Sequence, residues 1–413
     1  MPTLLQINIA SNWGSTGTIM EQIGLCAQSH GWKSYVTYGR KEYHNPSKNN
    51  VIRIGTTFNA YEHYAENLFL DNEGLASRHA TKRFLKKVDE INPDIVHLHV
   101  IHDHYMNYPM LFKYLAEKKI PVVWTQHDQW ATTGHCCYNL VGCERWKSEC
   151  HDCPLSKWYC LDRSRRNFRL KKQLLSDIPS LTIVTVSEWL ANMMKQSHLK
   201  NRKIEVIHNG IDIKTFSPQQ ITTREKYGID KQKKIILLGV ASPWSERKGL
   251  KDYVKLSKEL DSRFVILLVG LSDAQIDKLP DNIIGIKRTQ NQTELACLYS
   301  MADILLSLSN AETFGMTMAE AYACGTPCIV YDNTAQTEIV TPQTGRIAKT
   351  GDIDELVRLI YEMTESKFKQ NHSADCRKRA EEHFDKERCF EKYVQLYEEL
   401  LSSSPINNTG LLQ

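Results

Sequence analysis

No apolar run in this 413-residue chain approaches the roughly 18 residues needed to span a bilayer. The longest, Phe264–Leu271, has the length of a strand. The N-terminus, MPTLLQINIA, carries neither a basic region nor a long apolar core, so no secretory signal is visible. A cytoplasmic address is expected, and disulfides are not, because that compartment keeps thiols reduced. An excess of one charge is also missing. Lys and Arg total 52 against 48 acids, and a net +4 is too weak to indicate a dedicated nucleic-acid binder. What is present suits a folded protein: 41% hydrophobic and 24% charged residues, over a length that predicts two or three domains. The charge is unevenly spread. Residues 1–200 hold 24 basic and 18 acidic side chains and residues 201–413 hold 28 and 30, or +6 against −2.

Strand-length apolar runs recur at Leu4–Ala10, Ile95–His99, Val122–Thr125, Thr182–Val186, Ile204–Ile207, Ile235–Val240, Phe264–Val269, Ile304–Leu308 and Cys328–Tyr331. Helical periods lie between many of them, as at Thr18–His30, Thr81–Ile91, Pro109–Lys118, Trp189–Gln196 and Leu250–Leu260. Continuous apolar strands separated by helices predict an α/β fold with parallel sheets covered on both faces. The pattern restarts at Ile235, and HNGIDIKTFS (208–217) reads as a turn-rich connection. The predicted domains are 1–207, with a Cys-rich insertion at 135–160, and 208–385. A C-terminal helix at 386–401 is expected to pack back on the first domain, followed by a frayed polar tail at 402–413. Two such sheets joined by a short linker leave a cleft at the carboxyl ends of their strands.

The stretch ETFGMTMAEAYACGTPCIVYD (312–332) follows the run ADILLSLS and opens a helix near Phe314 or Gly315 that should end at Gly325. The unpaired amides of its first turn suit a phosphate, and Glu320, further along, can reach sugar hydroxyls. This stretch resembles the E-x7-E segment of retaining family 4 (group 1) glycosyltransferases. Their GT-B fold sets two Rossmann-like domains face to face around a nucleotide-sugar. The resemblance implies that Glu320 holds the ribose and that Glu312 contacts the donor sugar. It assigns the amides of Phe314, Gly315 and Met316 to the sugar and diphosphate. In VASPWSERKGL (240–250), Lys248 matches the Lys-Gly pair that neutralises the leaving diphosphate; Arg247 is the only arginine nearby. The loop SNWGSTGTI (11–19) adds Gly14 and Gly17, which in the family lie over the donor phosphates.

Seven of the 15 histidines fall between His97 and His151. His127, in VVWTQHDQW, matches the histidine that faces the donor sugar in the family, with Asp128 expected to fix its tautomer. His97, His99, His102 and His104 suggest a rival reading, because their spacing resembles that of binuclear metallohydrolases. Six of the 12 cysteines lie between Cys136 and Cys160. Cys136, Cys143, Cys150 and Cys153 end in the C-x2-C of a zinc knuckle and predict a structural zinc, with Cys137, Cys160, His135 and His151 as further candidate ligands. A similar insertion occurs in a subset of family 4 enzymes of bacterial surface-polysaccharide assembly, of the exopolysaccharide, capsule and colanic-acid type. The run from Arg163 to Lys172 holds six cations, which suit an anionic membrane surface or a polyprenyl-diphosphate-linked acceptor.

The resemblance implies a retaining hexosyltransferase that takes a sugar from a UDP- or GDP-sugar donor. The implied acceptor is a saccharide, lipid-linked, met at the inner face of the membrane. No cofactor is expected at the donor beyond the cations and amides. The rivals are a metal-dependent hydrolase built on the clustered histidines and a non-catalytic module that binds nucleotide-sugar or saccharide.

Overall fold

The computed structural model describes residues 1–139, 142–156, 160–220, 224–229 and 235–403. Most of the expected tail at 402–413 lies outside the described residues. The chain divides into two compact units. One is Met1–Ile207 with the residues from Cys389 on, and the other is His208–Arg388.

In the first unit β1 (Thr3–Ile7), β2 (Lys33–Tyr38), β3 (Asn50–Arg53), β4 (Ile95–Leu98), β5 (Val122–Gln126), β6 (Leu181–Thr185) and β7 (Lys203–Val206) form one sheet. Its order is β3-β2-β1-β4-β5-β6-β7, with every pair parallel. The central strands β4 and β5 are buried on both faces, whereas the edge strands β3 and β7 are half-exposed. Leu4, Ile95, Val123 and Val184 share one core with Phe390, Tyr393 and Tyr397 of the final helix, Lys386–Ser402. From Cys389 onward that helix belongs to the first unit, so the break in the second unit falls three residues later than the sequence reading places it.

The second unit repeats the plan. β8 (Ile235–Val240), β9 (Phe264–Val269), β10 (Ile283–Ile286), β11 (Ile304–Ser307), β12 (Cys328–Tyr331) and β13 (Gly345–Ala348) form a parallel sheet of order β10-β9-β8-β11-β12-β13. In both sheets the strand order reverses beside the first strand, between β1 and β4 and between β8 and β11. Connections that leave those strands in opposite directions open a crevice at their carboxyl ends. Within the second unit the segment at 208–210 passes the chain at Lys386 so closely that a Cβ on Gly210 would lie 2.3 Å from the Lys386 Cα.

Candidate functional site

The segments that leave β8 and β11 carry the predicted donor residues. Lys248 Nζ donates to Glu312 Oε1, and Arg247 Nη1 lies 3.5 Å from the same oxygen. All three side chains keep 16–19% of their surface exposed, so a ligand can still reach them. Gly249 brings the two segments together: its φ is +73°, and a Cβ there would lie 2.0 Å from the Leu308 carbonyl oxygen. The Asn310 N–H closes the contact by donating to the Arg247 carbonyl at 2.8 Å. Glu312 is fixed through its backbone, since its N–H donates to Thr334 Oγ1 at 2.9 Å and its carbonyl accepts from the Ala335 N–H at 3.1 Å.

The next helix spans Met316–Ala323 and is entered through Gly315, whose φ is +114°. The amides of Met318 and Ala319 close on the Gly315 carbonyl at 3.0 and 3.2 Å, leaving the amides ahead of them at the positive end of the helix dipole. Phe314 can contribute only its backbone, because its ring is buried against His208 and Phe384. Glu320 stands one turn beyond Met316 and accepts from the Tyr299 hydroxyl at 2.7 Å. Burial pushes its carboxyl up to about 7, against the pull of that hydroxyl. Tyr299 is a residue the sequence reading missed; it lies on the preceding helix, Gln292–Met301, and no motif spacing marks it.

In the first unit the helix after β1 starts at Gly14 rather than Thr18. Gly14 has φ +61°, whereas Gly17 sits inside the helix, where a Cβ would press on Ala10 at 3.2 Å. His127, just beyond β5, pairs with His99: His127 Nε2 lies 3.1 Å from His99 Nδ1, and His99 Nε2 lies 3.2 Å from Gln6 Oε1. The Gln6 amide nitrogen donates to the Met20 carbonyl at 3.0 Å, so its oxygen must face His99. His99 then donates through Nε2 and accepts through Nδ1, which makes Nε2 the protonated nitrogen of His127. Burial lowers His127 to about 4, so the ring is neutral near pH 7. Asp128 does not fix this tautomer as expected. Its carboxylate takes His102 Nε2 at 2.9 Å and the Trp130 N–H at 2.8 Å.

The four clustered histidines do not converge. His97 is held by Tyr397 and Thr125 at 2.6 and 2.7 Å, His99 by His127 and Gln6, His102 by Asp128, and His104 by Asn67 and Arg40. Both ring nitrogens of His97 and of His99 are therefore occupied by partners other than a metal, which removes the basis of the hydrolase reading. Among the described residues, His102 alone of the four joins a set of three ligand atoms within 4.8 Å, with Asp128 and Cys137. Cys136, Cys143, Cys150 and Cys153 line a single cavity together with His135 and His151. His135 Nε2 lies 3.1 Å from Cys153 Sγ, and its Nδ1 lies 3.2 Å from the buried Asp71.

The cations from Arg163 to Lys172 do not form one evenly exposed face. Arg165 and Arg169 pair with Glu149 at 3.4 and 2.6 Å, and Arg166 donates to Asn72 and to the Asp71 carbonyl. Lys171 is buried over the Trp130 ring, and burial lowers its ammonium to about 8.

Residues 30–215 match the Glycosyltransferase Family 4 profile, and residues 219–383 match that of Glycosyl transferases group 1. The chain belongs to this family. It is thus an enzyme, a glycosyltransferase, and the reading as a non-catalytic module falls. WcaC of Escherichia coli (strain K12), named for glycosyl transfer in colanic acid biosynthesis, is 22% identical over 332 residues, which are 75% of this chain and 77% of that protein. Sucrose-phosphate synthase from Thermosynechococcus elongatus superposes with a TM-score of 0.75 at 17% identity, covering 98% of this chain and 100% of that one. Anabaena HepE in complex with UDP and glucose gives 0.67 at 15% identity, covering 97% and 100%. At these identities the solved structures show the fold of this glycosyltransferase, which is GT-B. No helix among its described residues is long and apolar enough to cross a membrane.

Proposed function

We propose that this glycosyltransferase moves a hexosyl group, with retention at the anomeric carbon, from a uridine- or guanosine-diphosphate sugar to a hydroxyl of a lipid-linked saccharide in surface-polysaccharide assembly. The observation that carries this reading is the group Lys248, Arg247 and Glu312 at the strand-order reversal of the second sheet. The helix entered at Gly315 follows it, with Glu320 one turn on. In this reading Lys248, Arg247 and the first-turn amides take the diphosphate, Glu312 takes the sugar and Glu320 the ribose hydroxyls. The bond from the anomeric carbon to the diphosphate oxygen breaks while the acceptor oxygen bonds to the same face of that carbon. The departing phosphate oxygen accepts the acceptor's proton, so the chain's own task is to position the partners and stabilise charge. His127 orients the donor sugar.

A uridine donor is supported by HepE, solved with UDP and glucose, and the polysaccharide role by the name of WcaC. The cysteine cavity holds a structural zinc in this reading, supported by the C-x2-C spacing and by the common cavity of the four thiols. Screening nucleotide-sugars by thermal shift tests the donor. Selective stabilisation by one uridine or guanosine sugar is expected, and no stabilisation by any would overturn the assignment.

A further inference from the structure

The helix Gly14–Ser29 and the final helix share a side-chain cluster outside both the donor site and the cysteine cavity. Cys26 and His30 stand four residues apart, which puts them on one face at the end of the first of these helices. Glu391 of the final helix faces both, with Oε1 3.1 Å from His30 Nε2 and Oε2 3.9 Å from Cys26 Sγ. Sulfur, nitrogen and carboxylate oxygen all lie within 4.8 Å of one another. The ring is already oriented. His30 Nδ1 lies 3.0 Å from the Cys26 carbonyl, which can only accept, so Nδ1 carries the proton of the neutral ring. The lone pair then sits on Nε2 and points at a carboxylate oxygen, an approach that a shared cation makes favourable.

A proton or a metal ion can be that cation, and the geometry and donor set suit the metal. Tetrahedral zinc, with bonds of about 2.0 Å to nitrogen and oxygen and about 2.3 Å to sulfur, sets N···O about 3.3 Å and O···S about 3.5 Å apart. The 3.1 and 3.9 Å found here lie close to both. A backbone carbonyl on the far ring nitrogen is a partner that fixes tautomer and orientation in metal-ligating histidines. Thiolate and imidazole select a borderline ion such as zinc over magnesium or calcium, which take oxygen ligands. Glu398, two turns along the final helix, adds its negative charge near the ring. The His30 and Glu391 side chains remain 36% and 38% exposed, so an ion has access from solvent and water can complete its coordination.

We infer that Cys26 Sγ, His30 Nε2 and a Glu391 carboxylate oxygen bind one divalent ion of the zinc class, which clamps the final helix to the helix Gly14–Ser29. Binding displaces the thiol proton, and any proton on Nε2, to water. The clamp holds the helix that delivers Tyr397 to His97 and Tyr393 to Thr125. The site depends neither on the donor assignment nor on the zinc proposed for the cysteine cavity, so it is read as a difference between proteins that share that cavity. The experiment is equilibrium dialysis of the full chain against buffered zinc, with the wild type beside Cys26→Ala and Glu391→Gln. The wild type should hold about one zinc per chain more than Cys26→Ala, and Glu391→Gln should bind that ion about tenfold or more weakly. With cobalt in place of zinc, the thiolate-to-cobalt charge-transfer absorption should fall in Cys26→Ala by one thiolate's share. Cys297→Ala, which removes a half-buried thiol in the other unit, should bind as the wild type does. Glu391→Gln alters a partly exposed side chain and carries the test by itself should Cys26→Ala unfold. Equal zinc in the wild type and the folded variants would overturn the inference. So would a loss in Cys297→Ala as large as that in Cys26→Ala, because thiols would then bind zinc without a built site.

Discussion

Replacing Glu320 with glutamine separates ligand binding from stability. In the free protein burial raises the Glu320 carboxyl to about 7 from an ordinary 4.5. At roughly 1.4 kcal/mol per pKa unit, ionising it above pH 7 costs about 3 kcal/mol, of which partial solvent access leaves about 1–2 kcal/mol. The sign follows from proton uptake. Between the two values the folded state holds a proton that the unfolded state has lost, so stability falls as pH rises from about 4.5 to about 7 and is level above. Glu320→Gln removes this titration. The variant should melt roughly 2–8 °C higher than the wild type at pH 8 and match it near pH 4. Its nucleotide affinity should fall, because a carboxylate accepts from two ribose hydroxyls and an amide offers one acceptor; the loss should be about 10- to 100-fold. Wild-type affinity should rise as pH increases through about 7, when the accepting form appears, and the variant should lack that dependence. Calorimetric titration with the nucleotide across this range, beside thermal melts, provides the check. Unchanged nucleotide affinity in Glu320→Gln would refute the assignment of this residue to the ribose, whatever the melts show.

His127→Ala should lower turnover by about 10- to 100-fold while nucleotide affinity holds, since orientation and not binding is lost; steady-state kinetics with wild-type turnover would remove His127 from the site. Lys248→Met should lower kcat by about 100-fold or more through the leaving diphosphate, and a variant as fast as the wild type would exclude that role. Elemental analysis of protein purified without chelators should find about one zinc per chain, and a metal-free, fully active preparation would refute the zinc. Tyr397→Phe leaves His97 Nδ1 without its buried partner and should cost about 1–2 kcal/mol in urea unfolding, with little effect on nucleotide affinity.

The central strands and the donor segment were legible for one reason: their signals are local. β5, β9, β11 and β12 are buried along their whole length, and each opens on a run of apolar residues. β2, β3, β10 and β13 escape that reading because they are only partly buried, and their sequences KSYVTY, NVIR, IIGI and GRIA mix polar or glycine residues into the run. The helix Thr57–Leu70 escapes for the opposite reason, since its apolar residues face outward and periodicity marks an apolar face without saying what covers it. Glu312, Gly315 and Glu320 sit within nine residues of each other, so one strand, one turn and one helix place them. The partner of Glu320 is 21 residues away and that of His99 is 93 away. Contacts of that kind belong to the fold and leave no spacing to read.

The histidine row shows how local spacing can mislead and what replaces the misread feature. Alternation along β4 puts His97 and His99 on one face of the strand, their rings 4.1 Å apart, which in the sequence alone suits a metal. The fold instead delivers hydroxyls to that face from the final helix: Tyr397 reaches His97, and Tyr393 reaches Thr125, the other partner of His97. Burial lowers both histidines well below the usual range, so the row stays neutral near pH 7. Neutrality matters at its far end. With Gln6 and His99 fixing the proton of His127 on Nε2, the ring at that end carries no charge near pH 7. In the proposed reaction the proton leaves on the donor phosphate, so a neutral ring there acts as neither general acid nor general base. The buried polar row between the final helix and His127 thus holds one tautomer of one ring.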